Sequence, residues 1–532
     1  MILGASPGTI PAYLEATSER LGEQLAVRDG DIELTYTQLA ERSREFAAAL
    51  VASGVERGDR VGIWTYNSAE WIVAALGLFQ AGSVLIPINT RFRGDEATTI
   101  LNRSAARVLV TATEFLGNDY LAMLAATRTE RPHLRTIVNA HGPTADGAVD
   151  WGAFLARATP DSRAEVTERC AAMTPDDACD ILFTSGTTGV PKGVVMTHAR
   201  TLVTALDWIA MTGLRAGDRY LMINPYFHMF GLKAGILACV AAGAVMLPEP
   251  VFDVANAIDR MARERVTVLP APPTIYLDVL NHPSRPRRDL SSLRIGLTSA
   301  AEIPPMLVRR MHDELGLPTI VTAYGSTEGG TSTSTIAGDS IETIATTVGR
   351  PRPGFEVRIV DRDGATLPPG EAGEIQVRGG GVMSHYLDDP AATAAVLSDD
   401  GWLSTGDLGM FGEDGNLRMV GRTKDMFIVG GFNAYPAEIE SFLMQHPEVQ
   451  RAAVVGVPDA RLGEVGAAFV VLAPGATAGP EDIIAWSHQK MANFKVPRIV
   501  QIVDELPVSA TGKVLKISLR DLALSSRPRA DH

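Results

Sequence analysis

A loop of alternating hydroxyl residues and glycines is the part of this sequence best suited to chemistry. It occupies residues 184–192, in the string TSGTTGVPK, and ends on a lysine. Glycines leave backbone N–H groups accessible, and Ser and Thr hydroxyls add further donors, so the loop can hold phosphate groups. It is not the common P-loop, because Pro191 stands where G-x-x-x-x-G-K requires glycine. Taken alone, such a loop is more often a polar surface turn.

Four further short strings place charged or hydroxyl residues beside glycine. They are YGSTE at 324–328, STGD at 404–407, GRTKD at 421–425 and PVSATGK at 507–513. The paired oxygens of a carboxylate suit a diol or a hard cation, and a lysine in a glycine-containing loop can offset nearby anions. Each string by itself is more often an ordinary turn.

The elements that must position these loops alternate between short β-branched runs and helical patterns. The clearest predicted strands are 61–64, 181–183, 220–223, 266–269, 294–297 and 320–321. Most are followed by Gly, Pro, Ser or Thr and then by a helical pattern, which predicts doubly wound α/β layers with ligand sites at the carboxyl ends of strands. After residue 350, hairpin-like runs at 356–361 and 374–378 predict a smaller antiparallel β subdomain.

The last 110 or so residues are predicted to form a separate unit. Pro436 and Pro480 can each open a helix, and strand-like segments lie between and after these helices. The segment 421–425 interrupts the apolar pattern, so we predict an N-terminal domain at 1–421 and a C-terminal domain at 422–532. The predicted fold class is therefore α/β: a large N-terminal region of doubly wound α/β subdomains plus a β subdomain, followed by a small, mobile α+β domain.

Charge and composition exclude several classes of function. The chain has 48 Lys and Arg against 62 Asp and Glu, a formal net charge of −14, which disfavours binding to nucleic acid or anionic membranes by bulk electrostatics. The most apolar stretch, 234–248, is too short for a membrane helix and is predicted to be a buried helix followed by a strand. Three cysteines without C-x-x-C spacing predict a reduced, cytoplasmic location.

Considered together, the five strings point to a function more strongly than any one of them does alone. The residue types in these strings, and the order of the strings along the chain, resemble the motifs of the adenylate-forming superfamily of acyl-CoA synthetases, adenylation domains and firefly luciferase. The resemblance covers essentially the whole chain. It implies a carboxylic acid substrate, ATP, CoA and Mg²⁺. In that chemistry the carboxylate attacks the α-phosphate of ATP, giving an acyl adenylate and pyrophosphate, and a thiol then displaces AMP.

The resemblance also implies roles for residues around the nucleotide. Tyr324 would stack on adenine beside Gly325, Thr327 would contact the α-phosphate, and Glu328 would hold Mg²⁺. The residues implied to hold pyrophosphate and ribose are Thr184, Ser185, Gly186, Thr187, Thr188, Gly189, Lys192, Asp407 and Arg422.

The C-terminal strings carry a second set of implied roles. Lys513 would bridge the substrate carboxylate and the α-phosphate, which with Thr327 and Glu328 completes the predicted catalytic set. Lys424 would be the hinge about which the small domain rotates between the two half-reactions. Gly430 and Gly431 would line the CoA tunnel.

The acyl pocket is predicted from the segment PYFHMFG at 225–231 and the helix before it. The predicted lining residues are Tyr226, His228, Gly231 and Trp208. This region resembles actinobacterial ligases that activate the propionate side chain of degraded steroid rings, so a bulky steroid- or terpenoid-type acid is expected. A medium-chain fatty acid or an aryl acid is the alternative.

Other functions stay open from the sequence. The chain could perform one half-reaction only, load an acyl-AMP onto a carrier protein, or bind nucleotide without catalysis. Retention of both Lys513 and Glu328 favours the complete ligase over a binding module. A homodimer is compatible with the sequence.

Overall fold

Two large sheets form the N-terminal region of the computed structural model. The residues that the structure describes are 8–184, 191–298, 305–422, 425–429, 432–459, 461–491, 493–508 and 514–525. The seven-stranded sheet has the order Thr319–Val321, Ile295–Leu297, Val268–Pro270, Arg219–Met222, Val245–Pro248, Leu25–Asp29, Ile32–Thr35. All its neighbouring strands are parallel except the last pair.

The eight-stranded sheet carries the predicted phosphate loop. Its order is His385–Tyr386, Lys192–Thr197, Ala178–Thr184, Val84–Pro87, Arg60–Trp64, Val108–Ala112, Thr136–His141, Val149–Asp150. The first three strands pair antiparallel and the remaining pairs are parallel. Side chains of both sheets, such as Ile63 and Tyr220, meet in one apolar core with the helices between them.

Helices cover these sheets and begin where their sequence signals predict. The α-helices of the N-terminal region are Ile10–Leu21, Tyr36–Ala52, Ala69–Gln80, Gly94–Arg103, Tyr120–Ala126, Trp151–Leu155, Pro160–Ala171, His198–Thr212, Met229–Gly231, Ala238–Ala242, Val254–Arg263, Pro273–Asn281, Pro305–Leu315, Ile341–Thr346 and Pro390–Ala394. Helix His198–Thr212, for example, is capped by Thr197, whose hydroxyl accepts from the N–H of Arg200, and ends at Gly213 with φ +68°. A 3₁₀ turn spans Arg285–Arg287.

The segment predicted as a buried helix followed by a strand contains a π-helix. Residues Leu232–Leu237 form the π-helix, Ala238–Ala242 continue as α-helix, and strand Val245–Pro248 follows. The periodicity of a short, fully apolar stretch does not distinguish a π turn from an α turn, so the sequence missed it. π-helical turns are frequent at functional sites.

The predicted antiparallel β subdomain is present. Strands Phe355–Val360, Gly373–Gly379, Leu403–Phe411 and Leu417–Arg422 form one antiparallel sheet, and Ala323–Ser326, Gly330–Ser334 and Arg350–Pro351 form another. A short hairpin joins Glu114–Phe115 to Asn118–Asp119.

The C-terminal part has a sheet with a core on each face. Its strands are Phe427–Val429, Phe432–Ala434, Val449–Asp459, Gly463–Leu472 and Ile499–Ile502, and its helices are Pro436–Leu443, Pro480–Lys490 and Lys516–Ser525. Successive residues alternate between the two cores: Val454 and Ala468 lie in one, Val455 and Ala467 in the other. Both prolines open helices as predicted. The domain boundary at 421/422 itself stays a prediction.

Two sequence expectations are refined by the structure. The strand expected at 266–269 is Val268–Pro270, because the N–H of Val266 instead donates to the carbonyl of Met261 at the end of the preceding helix. Cys179 and Cys239 are buried and Cys170 is half-buried; all three are free thiols. None of the helices in the described part of the chain has both the length and the apolar character that crossing a bilayer requires.

Candidate active site

The predicted phosphate loop closes a β-hairpin. Strands Ala178–Thr184 and Lys192–Thr197 pair antiparallel, with Thr184 directly opposite Lys192. The ammonium of Lys192 lies 4.9 Å from the ring centroid of Tyr386, a cation–π contact. The loop residues Ser185, Gly186, Thr187, Thr188 and Gly189 fall outside the described residues.

The carboxylate of Glu328 joins this hairpin to the YGSTE segment. Its Oε1 atom accepts hydrogen bonds from the hydroxyls of Thr184 and Tyr386, each at 3.2 Å. Burial and the adjacent negative charge of Glu328 both raise the pKa of Tyr386, so this phenol stays a hydrogen-bond donor at neutral pH. The structure thus brings together Thr184, Lys192 and Glu328, which lie far apart in sequence.

The predicted adenine and ribose residues also meet. The hydroxyl of Tyr324 donates to Oδ2 of Asp407 at 2.8 Å, and both side chains are buried. Asp407 lies directly opposite Arg422 in the pairing of strands Leu403–Phe411 and Leu417–Arg422. A Cβ on Gly325 would lie 2.2 Å from the carbonyl oxygen of Gly330, so this position admits no side chain.

Thr327 and Glu328 occupy the turn between strands Ala323–Ser326 and Gly330–Ser334. Both residues are half-buried. The N–H of Gly329 donates to the hydroxyl of Ser326 at 2.9 Å, which closes the turn. This turn therefore presents the predicted phosphate and Mg²⁺ contacts beside Thr184.

The predicted acyl segment is organised by Asn67. Its side-chain amide donates to the carbonyls of Met222 and Asn224, each at 2.9 Å, and its Oδ1 accepts from the N–H of Tyr226 at 2.9 Å. Tyr226 is buried and packs edge-on against Trp71, with ring centroids 5.2 Å apart. Asn67 thereby holds the loop that leads from strand Arg219–Met222 to the acyl segment.

A small cavity beside the acyl segment is lined by Tyr220, Met222, Asn224, Phe230, Gly231 and Gly235. Gly231 is the predicted acyl residue in this lining, whereas Trp208 and His228 contact Phe230 in the cavity wall. Trp208 packs edge-on against Phe230, with ring centroids 5.2 Å apart. A Cβ on Gly231 would lie 2.2 Å from the carbonyl oxygen of Pro225, so only glycine fits there. Nδ1 of His228 accepts from the N–H of Phe230 at 3.2 Å. This hydrogen bond caps the helical turn Met229–Gly231, which carries Phe230.

A buried ion pair connects the nucleotide side to the acyl side. Nζ of Lys233, in the π-helix, lies 3.2 Å from Oδ1 of Asp180, on the strand that leads to Thr184. Both side chains are almost completely excluded from solvent, at 1% and 0% exposure. The hydroxyl of Thr201 also donates to Asp180. Two charges at this depth stabilise the fold only as a pair.

Four further predicted residues fall outside the described part of the chain: Lys424, Gly430, Gly431 and Lys513. Conversely, Tyr386, Asn67 and the Asp180–Lys233 pair were not predicted as parts of the site. A tyrosine or an asparagine in an apolar run carries no local signal, since its role comes from partners distant in sequence. A charged residue within an apolar stretch, such as Lys233 after FGL, is a signal that could have drawn attention.

Comparison with known proteins decides the family. The model of the AMP-binding enzyme family matches residues 14–387, and the model of the AMP-binding enzyme C-terminal domain matches residues 438–513. The chain belongs to the AMP-binding enzyme family. The predicted membership of the adenylate-forming superfamily and the predicted fold class are confirmed.

Two relatives of this AMP-binding enzyme carry the same name, 3-[(3aS,4S,7aS)-7a-methyl-1,5-dioxo-octahydro-1H-inden-4-yl]propanoyl:CoA ligase. The protein from Rhodococcus jostii is 46% identical over 97% of this chain and 99% of its own length. The one from Mycobacterium tuberculosis is 47% identical over the same shares. Among solved structures, the anthranilate CoA ligase AuaEII in complex with anthranoyl-AMP superposes with a TM-score of 0.89, at 29% identity and 98% coverage of both chains. The predicted enzyme class, an AMP-forming acid–CoA ligase, is confirmed.

Proposed function

We propose that this ligase activates a bulky, ring-bearing acid of the steroid-derived type with ATP and transfers the acyl group to CoA. The observation that carries the proposal is the 46–47% identity, over nearly the full length, to ligases of a bicyclic propanoate.

In the first half-reaction, an oxygen of the acid attacks the α-phosphorus of ATP, and the bond to the pyrophosphate oxygen breaks. Charge neutralisation lowers this barrier more than covalent participation by the protein. We assign Lys192 and the loop from Thr184 to Gly189 to the leaving pyrophosphate, and Thr327 to the α-phosphate. Tyr324 and Asp407 are assigned to adenine and ribose, which requires ATP to replace part of their mutual hydrogen bond.

In the second half-reaction, the sulfur of CoA attacks the acyl carbonyl carbon. The thiol proton leaves to solvent, the carbon–oxygen bond to the phosphate breaks, and AMP departs. We assign His228 and Phe230 to the junction between the acyl cavity and the thiol channel, because His228 caps the turn that carries Phe230.

The Mg²⁺ expected with ATP fits the residues present. Mg²⁺ is usually held by one or two carboxylates together with substrate phosphates, and Glu328 supplies a half-buried carboxylate beside the hydroxyl of Thr184. When bound, the ion would neutralise charge on the phosphates. Tyr386 would keep Glu328 oriented through its hydrogen bond to Oε1.

Glu328→Gln is expected to raise the Mg²⁺ concentration needed for half-maximal pyrophosphate release by about 10-fold, because an amide loses the anionic charge that a hard cation prefers. A Mg²⁺ titration of the initial rate measures this. The matched control is Glu356→Gln, which removes an exposed carboxylate paired with Arg378 and should leave the titration unchanged. An unaltered midpoint in Glu328→Gln would contradict the assignment.

We further propose that residues 422–532 act as a lid that turns about Lys424 between the half-reactions. The proposal is supported by the separate cores on the two faces of the C-terminal sheet, which allow this unit to move as a body. Gly430 and Gly431 are assigned to the CoA tunnel, and Lys513 to the adenylation state.

Lys424→Pro is expected to lower thioester formation from a supplied acyl adenylate at least about 10-fold, because proline restricts φ and stiffens the hinge. Adenylate formation, measured by pyrophosphate release, should stay within about threefold of the natural protein. Lys424→Ala is the matched control, since it removes the same charge without stiffening the backbone. Equal thioester rates in the proline and alanine variants would rule out a hinge at this residue.

Pyrophosphate release with a panel of ring-bearing, aryl and medium-chain acids, with and without CoA, tests the function as a whole. The proposal expects the highest kcat/KM with a bicyclic propanoate and a CoA thioester as product. Adenylate without thioester would indicate a single half-reaction or a carrier-protein acceptor. No pyrophosphate with any acid would indicate a nucleotide-binding module. A cytoplasmic location and a homodimer stay predictions from the sequence.

A further inference from the structure

Three consecutive positions on one face of helix His198–Thr212 carry buried polar atoms without partners. Thr204, Asp207 and Trp208 have the spacing i, i+3, i+4, so they form one stripe. Among the described residues, Oγ1 of Thr204, Oδ2 of Asp207 and Nε1 of Trp208 have no hydrogen-bond partner. Thr204 and Trp208 are only 1% and 3% exposed. Buried polar groups are nearly always hydrogen-bonded, so a ligand or an ordered water is needed to complete this set.

Arg352 faces the same stripe and is only partly satisfied, since its Nη2 donates to the backbone carbonyl of Asp207 at 3.5 Å. It is 7% exposed, and its Nε also has no hydrogen-bond partner in the described structure. Its Nη2 lies 3.9 Å from Oδ1 of Asp207, well beyond the 2.7–2.9 Å typical of a close Arg–carboxylate pair. Burial raises the pKa of Asp207 to about 6, although the charge of Arg352 opposes this shift. The two side chains approach each other without closing a bidentate contact.

The stripe lies between the two halves of the proposed site. Its helix packs against strand Gly330–Ser334, which pairs with the strand that carries Tyr324. On the other side, the ring of Trp208 contacts Phe230, which lines the acyl cavity. An acid whose carboxylate lies near Thr327 would therefore direct its far end toward these polar atoms.

Three of the four unpaired groups select a hydrogen-bond acceptor, while the carboxylate of Asp207 faces Arg352 and, when ionised, can only accept. The indole N–H of Trp208 and the Nε–H of Arg352 can only donate, and the hydroxyl of Thr204 can donate. A carbonyl oxygen would satisfy them, whereas a hydrocarbon would leave them buried and unpaired. The bicyclic acid named for the two relatives carries two keto oxygens.

We propose that Thr204, Trp208 and Arg352 form a subsite that binds a ring keto oxygen and selects oxygenated ring acids over hydrocarbon acids of the same shape. This inference rests on the proposed function. Asp207 holds Arg352 near the subsite and is a positioning residue.

Two probe acids test the subsite: the 7a-methyl-1,5-dioxo-octahydroindenyl propanoate and its analogue with both keto oxygens replaced by methylene groups. The natural protein should favour the diketo acid by at least about 10-fold in kcat/KM for pyrophosphate release. Thr204→Val, which keeps the shape and removes a donor, should lower kcat/KM for the diketo acid by about 10-fold and leave the value for the analogue within about twofold. Trp208→Phe removes the indole N–H together with part of the ring, and it should lower kcat/KM more for the diketo acid than for the analogue.

Trp402→Phe is the matched control, because Trp402 lies in the β subdomain against Arg358 and Arg378, and it should leave the preference unchanged. Equal losses with both acids in Thr204→Val would show a packing role and overturn the subsite, as would a natural protein that does not discriminate. Calorimetric measurement of the affinities of the two acids tests the subsite independently of the proposed function. If neither acid yields pyrophosphate, the proposed function fails, and the ratio of the two affinities still decides the subsite.

Discussion

Replacing Lys513 with alanine is expected to slow acyl-adenylate formation at least about 100-fold, while thioester formation from a supplied acyl adenylate stays within about threefold. The ammonium is assigned to offset the acid and the α-phosphate as these two anions approach, and removing one such group from a preorganised site typically costs a factor of about 10²–10³. The second half-reaction brings a thiol to the carbonyl of a mixed anhydride and has no such pair of approaching anions.

The surroundings of Lys513 indicate that its loop belongs to the lid. Val508 and Val514, on either side of the loop, form an antiparallel bridge, and helix Lys516–Ser525 follows with Leu519 and Ala523 buried in a C-terminal core. Lys513 itself lies outside the described residues. Rotation of the lid would therefore carry this lysine into and out of the site.

Lys516→Ala is the control for this prediction. Its ammonium lies 2.8 Å from Oε1 of Glu440, so it is already paired within the lid. The variant loses the same charge three residues away and should keep most of its adenylation rate. Single-turnover measurements with ATP plus acid, and separately with acyl adenylate plus CoA, resolve the two steps. Equal losses in both steps for Lys513→Ala would remove the assigned role.

Lys233→Met is expected to destabilise the N-terminal region by about 3–5 kcal/mol, because it leaves the carboxylate of Asp180 buried without its counter-charge. Asp180 lies on the strand that ends at Thr184, and Lys233 lies in the π-helix just after Phe230, which lines the acyl cavity. The loss should therefore loosen both the phosphate hairpin and the acyl cavity.

Hydrogen exchange of peptides from strand Ala178–Thr184 measures the local opening free energy. The double variant Asp180→Asn/Lys233→Met removes both charges and should recover most of the loss. Arg57→Met is the comparison for an exposed pair, since Arg57 and Asp177 are each about 40% exposed, and it should change stability by less than about 1 kcal/mol. If Lys233→Met destabilised the protein no more than Arg57→Met does, the Asp180–Lys233 pair would not be a structural link between the phosphate hairpin and the acyl cavity.

The sequence by itself determined the features that depend on near neighbours. The β-branched run at 181–183 predicted the strand that ends at Thr184, because a strand and the loop after it are set by adjacent residues, whereas its antiparallel partner Lys192–Thr197 was not predicted. The prolines at 436 and 480 predicted helix starts for the same reason. The ordered motifs also predicted the family, since each motif is a continuous string.

The tertiary structure alone decided which distant groups meet. Glu328 reaches Thr184 across 144 positions, Tyr324 reaches Asp407 across 83, and neither Asp180 nor Lys233 signals its partner locally. The same holds for the stripe at Thr204, Asp207 and Trp208, which is an ordinary polar helix face until burial removes its water. Hydrogen bonds and ion pairs act over a few ångströms in space, so the packing of the sheets, rather than spacing along the chain, chose these partners.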